Sequence, residues 1–500
     1  MNKLLLTFFV LSLSSILYSQ NGYYFEPGFV EYPDTSILTS ATELAIPFLK
    51  EDVKAIGMGK TQIANGKYLN GMLYNPAILK RGRTSFEVIG IQASLPPKTY
   101  DAANYIQSHR REFEEAYSLQ EVWLGLQEFN NAQTWQQQIA AIKRMQEGLK
   151  VPYELSRDII GSSDNPNIHG IRVIPSISGQ INNFGFSIYG IGQSAFMVQL
   201  SPITEAALAV NLPENTDNLD INSPEVQNAI IQLYNVLQVA FNNNNDVNTE
   251  ILPITYSISY VDIVGAAGYG MKLNPYFSIG ANLKVIHRRF SASRVVTKHY
   301  EDILNVLKRD LTQYTTGFTM DVGGMLSFPT GTEIGLSIQN IIPVQKITST
   351  MHANFYVSYY DYKRDINGNI LLTNQGDTII QTVGRNVDVG LPFDLKVPVL
   401  VNLGAIHPIT PDWDVALDIF DIAKQDVRFQ KYFERLRIGT EYRLNFQKNL
   451  GFAFRLGMAE LRPTFGFGFN LFNIMQLDAA FAYDNFVGEN SVYAQVKFGW

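Results

Sequence analysis

The sequence predicts an all-β fold: a 14-stranded antiparallel transmembrane β-barrel with an N-terminal plug and long, partly helical extracellular loops. Three observations lead there. Segments whose side chains alternate between apolar and polar recur along the chain from residue 84 onward. The gaps between them are long and short in turn. The N-terminus reads as an export signal, and the chain has no cysteine.

The export signal comes first. Met1-Asn2-Lys3 is a short positive start, Leu4 to Leu17 is an apolar run, and Tyr18-Ser19-Gln20 is a polar exit. That order defines a secretory signal peptide over 1–20. The run is too short for a spanning helix, which needs about 20 apolar residues.

Composition narrows the classes that remain. Charged residues are 17% of the 500, below the ~25% of soluble domains. Aromatics reach 12%, with 26 Tyr and 31 Phe, and mean hydropathy is −0.03. The absence of cysteine excludes disulfides, thiolate metal sites and cysteine catalysis. A net charge of −7 argues against a nucleic-acid partner.

The strands are expected at 84–95, 168–181, 184–200, 251–273, 277–297, 314–330, 333–348, 397–409, 412–424, 434–444, 450–459, 463–472, 475–486 and 492–500. Each reaches the ~9–11 residues a membrane-crossing strand needs. Successive side chains on a strand point to opposite faces. In 463–472, Phe465, Phe467, Phe469 and Leu471 alternate with Thr464, Gly466, Gly468 and Asn470. In 434–444 the apolar face is Leu436, Ile438, Thr440, Tyr442 and Leu444, and the other carries Arg435, Arg437, Gly439, Glu441 and Arg443. One apolar and one charged face suit lipid outside and a polar lumen inside.

Gap lengths give the orientation. The first and later odd gaps include large loops at 96–167, 201–250 and 349–396, while the even gaps are tight turns such as Asn182-Asn183, Asn274-Pro275-Tyr276 and Gly331-Thr332. Short turns on the periplasmic side and long loops outside are the habit of membrane barrels. Both termini then lie in the periplasm. Within the loops, 102–149 is expected to be helical, with Trp123, Leu126 and Phe129, then Ile139, Ile142 and Met145, as its buried stripes. Ser223-Pro224-Glu225 starts another helix with Val226, Ile230, Leu233 and Leu237 on one face. Residues 352–363 and 369–382 flank Asn367-Gly368 and predict a raised hairpin. The helical stripes pack the loops into a cap over the barrel mouth or dock a partner.

Residues 21–83 precede the barrel, which occupies 84–500. Eight strands fill their own lumen, while 16 to 18 leave a channel. Fourteen lie near the open case, and a segment with glycine turns and apolar groups is suited to plug it. The alternative is a periplasmic tail.

The motifs Pro47-Phe48-Leu49, Gly57-Met58-Gly59, Ala64 and Tyr74-Asn75-Pro76-Ala77 resemble the hatch of the FadL-type outer-membrane β-barrel superfamily, in particular its PorV and TraF-like branches. The stretch Leu436-Arg437-Ile438-Gly439-Thr440-Glu441-Tyr442 and the terminal aromatic are similar as well. Lys60 and Lys67-Tyr68-Leu69-Asn70 depart from the pattern, since the family usually has a small residue and an acidic cluster there. The resemblance implies a plug held by Gly57, Gly59, Tyr74, Asn75, Pro76 and Ala77. It implies a kink in the third strand, where Gly190 and Gly192 are candidates for a lateral gate. It also implies that Phe498 and Trp500 are read by the barrel-insertion machinery.

No catalytic or metal site is expected. Gly59-Lys60-Thr61 lacks the first glycine of a phosphate loop, and Asp365-Ile366-Asn367-Gly368 has its glycine at the wrong place for a calcium loop. The histidines show no metal spacing, and the lumen charges read as a salt-bridged wall. No cofactor is implied and no enzyme. The expected partners are outer-membrane lipid, the insertion machinery, and either a hydrophobic ligand or envelope secretion components. The chain reads as an outer-membrane protein of a Gram-negative bacterium for passive uptake of hydrophobic small molecules. The alternative is a non-transporting partner in a secretion or conjugation-type envelope machine.

Overall fold

The structure is a computed structural model. It describes residues 21–22, 50–65, 69–112, 120–160, 167–199, 208–209, 254–296, 314–342, 350–363, 369–372, 376, 380–392, 399–423, 431–447, 450–472, 474–485 and 487–499. The export signal, Pro47-Phe48-Leu49, Lys67-Tyr68, the stripe from Val226 to Leu237, Asn367-Gly368 and Trp500 lie outside the described residues.

Fourteen strands make the wall: β1 (Ser85–Leu95), β2 (Ile168–Ile181), β3 (Phe184–Gln199), β4 (Ile254–Lys272), β5 (Phe277–Val296), β6 (Tyr314–Ser327) and β7 (Glu333–Gln339). They continue with β8 (Leu400–Thr410), β9 (Trp413–Ile419), β10 (Leu436–Gln447), β11 (Leu450–Ala459), β12 (Arg462–Leu471), β13 (Met475–Asp484) and β14 (Glu489–Gly499). Each pairs antiparallel with the next, and β14 pairs with β1, so the ring closes. Closure is what lipid demands, because an unpaired backbone group in hydrocarbon costs several kcal/mol.

The alternation sorts side chains as the sequence predicts. Phe465, Phe467, Val492 and Phe498 are exposed on the outside, while Thr464, Arg435, Arg437, Glu441 and Gln495 are buried inside. At the short-turn end, Tyr276, Phe328, Trp413, Phe446 and Phe472 are exposed together and form an aromatic girdle.

Two strands fall short of the expected length. β7 and β9 have 7 residues each. β7 stops at Asn340, which turns into the left-handed region at φ 57° and donates its N–H to Asp321 Oδ1 at 2.9 Å. β9 stops before Asp421, at φ 48°, whose N–H goes to Asn402 Oδ1 at 2.8 Å. Conversely β4 and β5 run 19 and 20 residues, well past the membrane requirement.

The loop elements differ in detail from expectation. The raised hairpin exists, but its strands are 350–362 and 380–392. Their ladder runs from Tyr362 with Ile380 to Thr350 with Pro392, so the second strand starts eleven residues later than 369, and the Leu371 N–H donates to the Lys363 carbonyl at 2.8 Å. The first hairpin strand also lies parallel against Ala292, Ser293 and Arg294 at the outer end of β5. The loop after β1 holds helices α2 (Pro97–Ser108), α3 (Gln120–Asn131) and α4 (Trp135–Ile160), the plug's own short helix α1 being Val53–Gly57. Ile139, Ile142 and Met145 are buried, but on α3 the packed face is Val122 and Gly125 rather than Trp123. Gly125 lies against Met145 and Gly148 against Val122, so the two helices approach through glycine and the bulky residues are turned aside. His169, at the root of β2, places Nε2 2.9 Å from the Ile159 carbonyl and ties the end of α4 to the wall.

Candidate functional site

The lumen and its plug are the chemically specialised part of the molecule. Asp52 caps α1 by accepting the Lys54 N–H at 3.1 Å. Gly59 (φ 66°) and Lys60 (φ 60°) then reverse the chain, which glycine does without a steric penalty. A 3₁₀ turn over Leu69–Leu73 follows. Asn75 caps a second, Pro76–Arg81, by accepting the Ala77 N–H at 3.1 Å, with Pro76 supplying the preset first φ.

The plug rests on wall positions that have no side chain. Gly439 and Gly457 face each other across β10 and β11, and a Cβ on either would overlap the Met58–Gly59 backbone. Gly270, Gly280 and Gly323 lie side by side on β4, β5 and β6, under Asn75-Pro76-Ala77. A Cβ on Gly57 would come within 2.8 Å of Gly466 Cα. Both plug motifs therefore sit on flat glycine tracks, the close backbone approach that a glycine in a strand permits.

Hydrogen bonds fix what the tracks admit. Gly59 N–H donates to Thr464 Oγ1 at 2.9 Å, and that hydroxyl donates to the Gly57 carbonyl at 3.2 Å. Asn75 Nδ2 donates to the carbonyls of Ile63 at 3.1 Å and Gly324 at 3.2 Å. The Tyr74 hydroxyl donates to the Lys50 carbonyl. Ala77 packs with Ile78 and Met325. The structure thus brings Gly57, Gly59, Tyr74, Asn75, Pro76 and Ala77 to the plug–wall boundary. Lys60 pairs with Glu460 at 3.2 Å.

Sequence reasoning placed Asp418 in the salt-bridged lumen wall; the structure instead has it accept the N–H groups of Gln62 at 2.6 Å and Ile63 at 3.0 Å, a plug contact that reading did not include. Sequence reasoning missed the tracks. Their signal was present: Gly439 stands on the charged, inward face between Arg437 and Glu441, where a missing side chain invites something to fill the space.

The lumen has two sides. Along β9 to β13 it is ionic: Arg455 joins Glu441 at 2.7 Å and Asp478 at 2.9 Å, and Arg443 joins Asp414 and Glu441. On β2 to β5 the inward face carries Ile174, Tyr189, Ile191, Val264 and Ile286, all buried, interrupted by the pair Asp262–Arg288 and flanked by Gln193 and by Lys284, which pairs with Asp321 at 2.7 Å. These positions lie outward of Gly185, where Leu79 and Met72 of the plug touch β3. At the plug's start, burial acts to raise the Asp52 carboxyl pKa, but the Lys497 ammonium outweighs it and holds the group below the usual carboxylate range.

Gly190 and Gly192 are not on the lumen face. They point outward, with Pro175 3.4 Å from a Cβ on Gly190 and open space beyond. β3 pairs with β4 without interruption through both glycines, whereas on its other side no pairs form between Ile174-Pro175 and Gly190-Ile191. Phe498 is exposed on the lipid side.

No protein-family model matches the chain, and no curated protein matches it. Among solved structures, the chain is similar to the Pseudomonas putida toluene transporter TodX, at 10% identity over 91% of this chain and 99% of that one, with a TM-score of 0.43. It is also similar to the CymD monoaromatic hydrocarbon channel, at 11% identity over 91% and 97%, with a TM-score of 0.39. A Pseudomonas aeruginosa FadL homologue aligns at 8% identity over 90% and 98%, with a TM-score of 0.34.

Proposed function

We propose that the protein sits in the outer membrane of a Gram-negative bacterium and passes hydrophobic small molecules passively through its plugged barrel. The observation that carries this reading is the inward apolar arc of Ile174, Tyr189, Ile191, Val264 and Ile286 just outward of the plug. These side chains are shielded from water in the closed barrel, and a hydrophobic solute admitted among them would be stabilised by roughly 25 cal/mol for each Å² of its own apolar surface that it buries. The plug blocks the straight path toward the periplasm. The exit we infer is lateral, between β2 and β3, where the ladder lacks pairs at Ile174 and Pro175. Proline cannot donate to a ladder, and Gly190 opposite leaves the outer surface open.

The test is uptake of a hydrophobic fluorescent probe by cells with and without the protein. Ile191→Asn should reduce uptake by making the arc polar. Gly190→Val with Gly192→Val should reduce it by filling the outer gap, at normal surface level in both cases. Uptake no greater than in cells lacking the protein overturns the transport reading, and the envelope-machine reading then takes its place.

A further inference from the structure

Every neighbouring pair of wall strands but one is also joined by the chain running from one strand to the next. The exception is the seam between β14 and β1, the two ends of the barrel, which no chain connection joins; apart from backbone pairing, the described residues link it directly by the half-exposed pair of Lys98 with Glu489 at its outer end. That seam is also irregular. Phe498 pairs with Ile89 but Gly499 with Glu87, and on the far side Glu87 pairs with Ser178 and Gly90 with Ser176. The extra residue is a bulge, which disrupts the local ladder. It turns both Val88 and Ile89 to the lipid and Glu87 into the lumen, where Ser176 donates to its carboxylate.

The plug crosses the lumen at this place. Lys50 Nζ lies 3.1 Å from Glu87 Oε1 on β1. Two residues on, Asp52 accepts from Lys497 Nζ on β14, and the Val53 N–H donates to Gln495 Oε1 on β14 at 3.2 Å. Lys50, Asp52, Glu87 and Gln495 are buried. The polarity alternates: a base meets the acid of the first strand, an acid meets the base of the last. A segment shifted by one pairing would set like charges together. We propose that residues 50–53 clamp the barrel seam, tying the first strand to the last through their own backbone, a role separate from occluding the lumen.

The chain has no cysteine, so an engineered disulfide can substitute for the clamp without competing thiols. Ala93 and Ala494 face each other across the seam, at a spacing typical of cross-strand disulfides. The readout is the temperature at which the full-length folded barrel loses its heat-modifiable band on a gel. Lys50→Gln with Asp52→Asn should lower it by several degrees. Adding Ala93→Cys and Ala494→Cys should restore it, under oxidation, to the value of the oxidised parent, and reductant should abolish the rescue. Lys60→Gln, which breaks the plug's ion pair with Glu460 away from the seam, should gain nothing from the disulfide beyond what the parent gains. Failure of the disulfide to rescue the Lys50/Asp52 variant overturns the clamp, as does equal rescue of Lys60→Gln. Where the neutral variant does not insert at all, Asp52→Lys with Lys497→Asp decides: the exchanged pair should recover insertion, and continued failure overturns the proposal.

Discussion

Gly439 shows how one residue serves both wall and plug. Its place on the inward face of β10 would suit a charged side chain like those of Arg437 and Glu441 beside it, yet a Cβ there would overlap the Met58 carbonyl. Gly265 on β4 is the opposite case, facing outward with nothing within 4 Å of an added Cβ. The two should therefore respond differently to the same change. Gly439→Ala should destabilise plug seating by about 1–3 kcal/mol, the usual range for overpacking. Gly265→Ala should be neutral or stabilise by up to ~1 kcal/mol, because it removes backbone freedom from the unfolded chain. Protease cleavage of the plug segment in the folded barrel measures this. Equal cleavage of the two variants would show that the glycine track does not support the plug.

At the scale of elements, β14 carries more than its own pairing. It supplies Gln495 and Lys497 to the plug and completes the ring with β1. Deleting residues 492–500 leaves two open edges in lipid, each with a row of unpaired backbone groups. Insertion should fail, and normal heat-modifiable migration of the truncated protein in the outer-membrane fraction would contradict this. The strands were legible in the sequence because lipid on one face and a polar lumen on the other enforce a period-two alternation, broken in β1 where the bulge turns both Val88 and Ile89 outward. Their ends were less legible. β7 and β9 stop where Asn340 and Asp421 adopt left-handed backbone, held by side chains of other strands that no local pattern reveals. The face of α3 was misread for a related reason: Trp123 and Phe129 look like part of a core stripe but are only half-buried, because α4 approaches through Gly125 and Gly148. The second strand of the raised hairpin was expected over 369–382, whereas its ladder covers 380–392. The plug motif residues were legible as a group, but the glycine tracks beneath them were not. A track exists only when strands far apart in sequence set Gly270, Gly280 and Gly323 side by side.

For the whole molecule, the architecture reconciles two opposed demands. Fourteen strands enclose a lumen too wide for their own side chains to fill. A lumen open to water would leak. The segment from Lys50 to Gly82 fills it from one wall to the other, on glycine tracks at β4–β6 and β10–β11 and by hydrogen bonds to Thr464, Asp418, Gly324 and Gln495. The apolar side chains of β2–β5 lie on the outer side of that floor, where the proposed function places the hydrophobic solute. All of this depends on the segment being a seated plug. Conductance in planar bilayers tests it most directly, with the full chain compared against a chain lacking residues 41–83, both shown to be folded by heat-modifiable migration. A seated plug predicts small conductance for the full chain and a large, steady water-filled pore for the deletion. Equal conductance of the two folded proteins would contradict it.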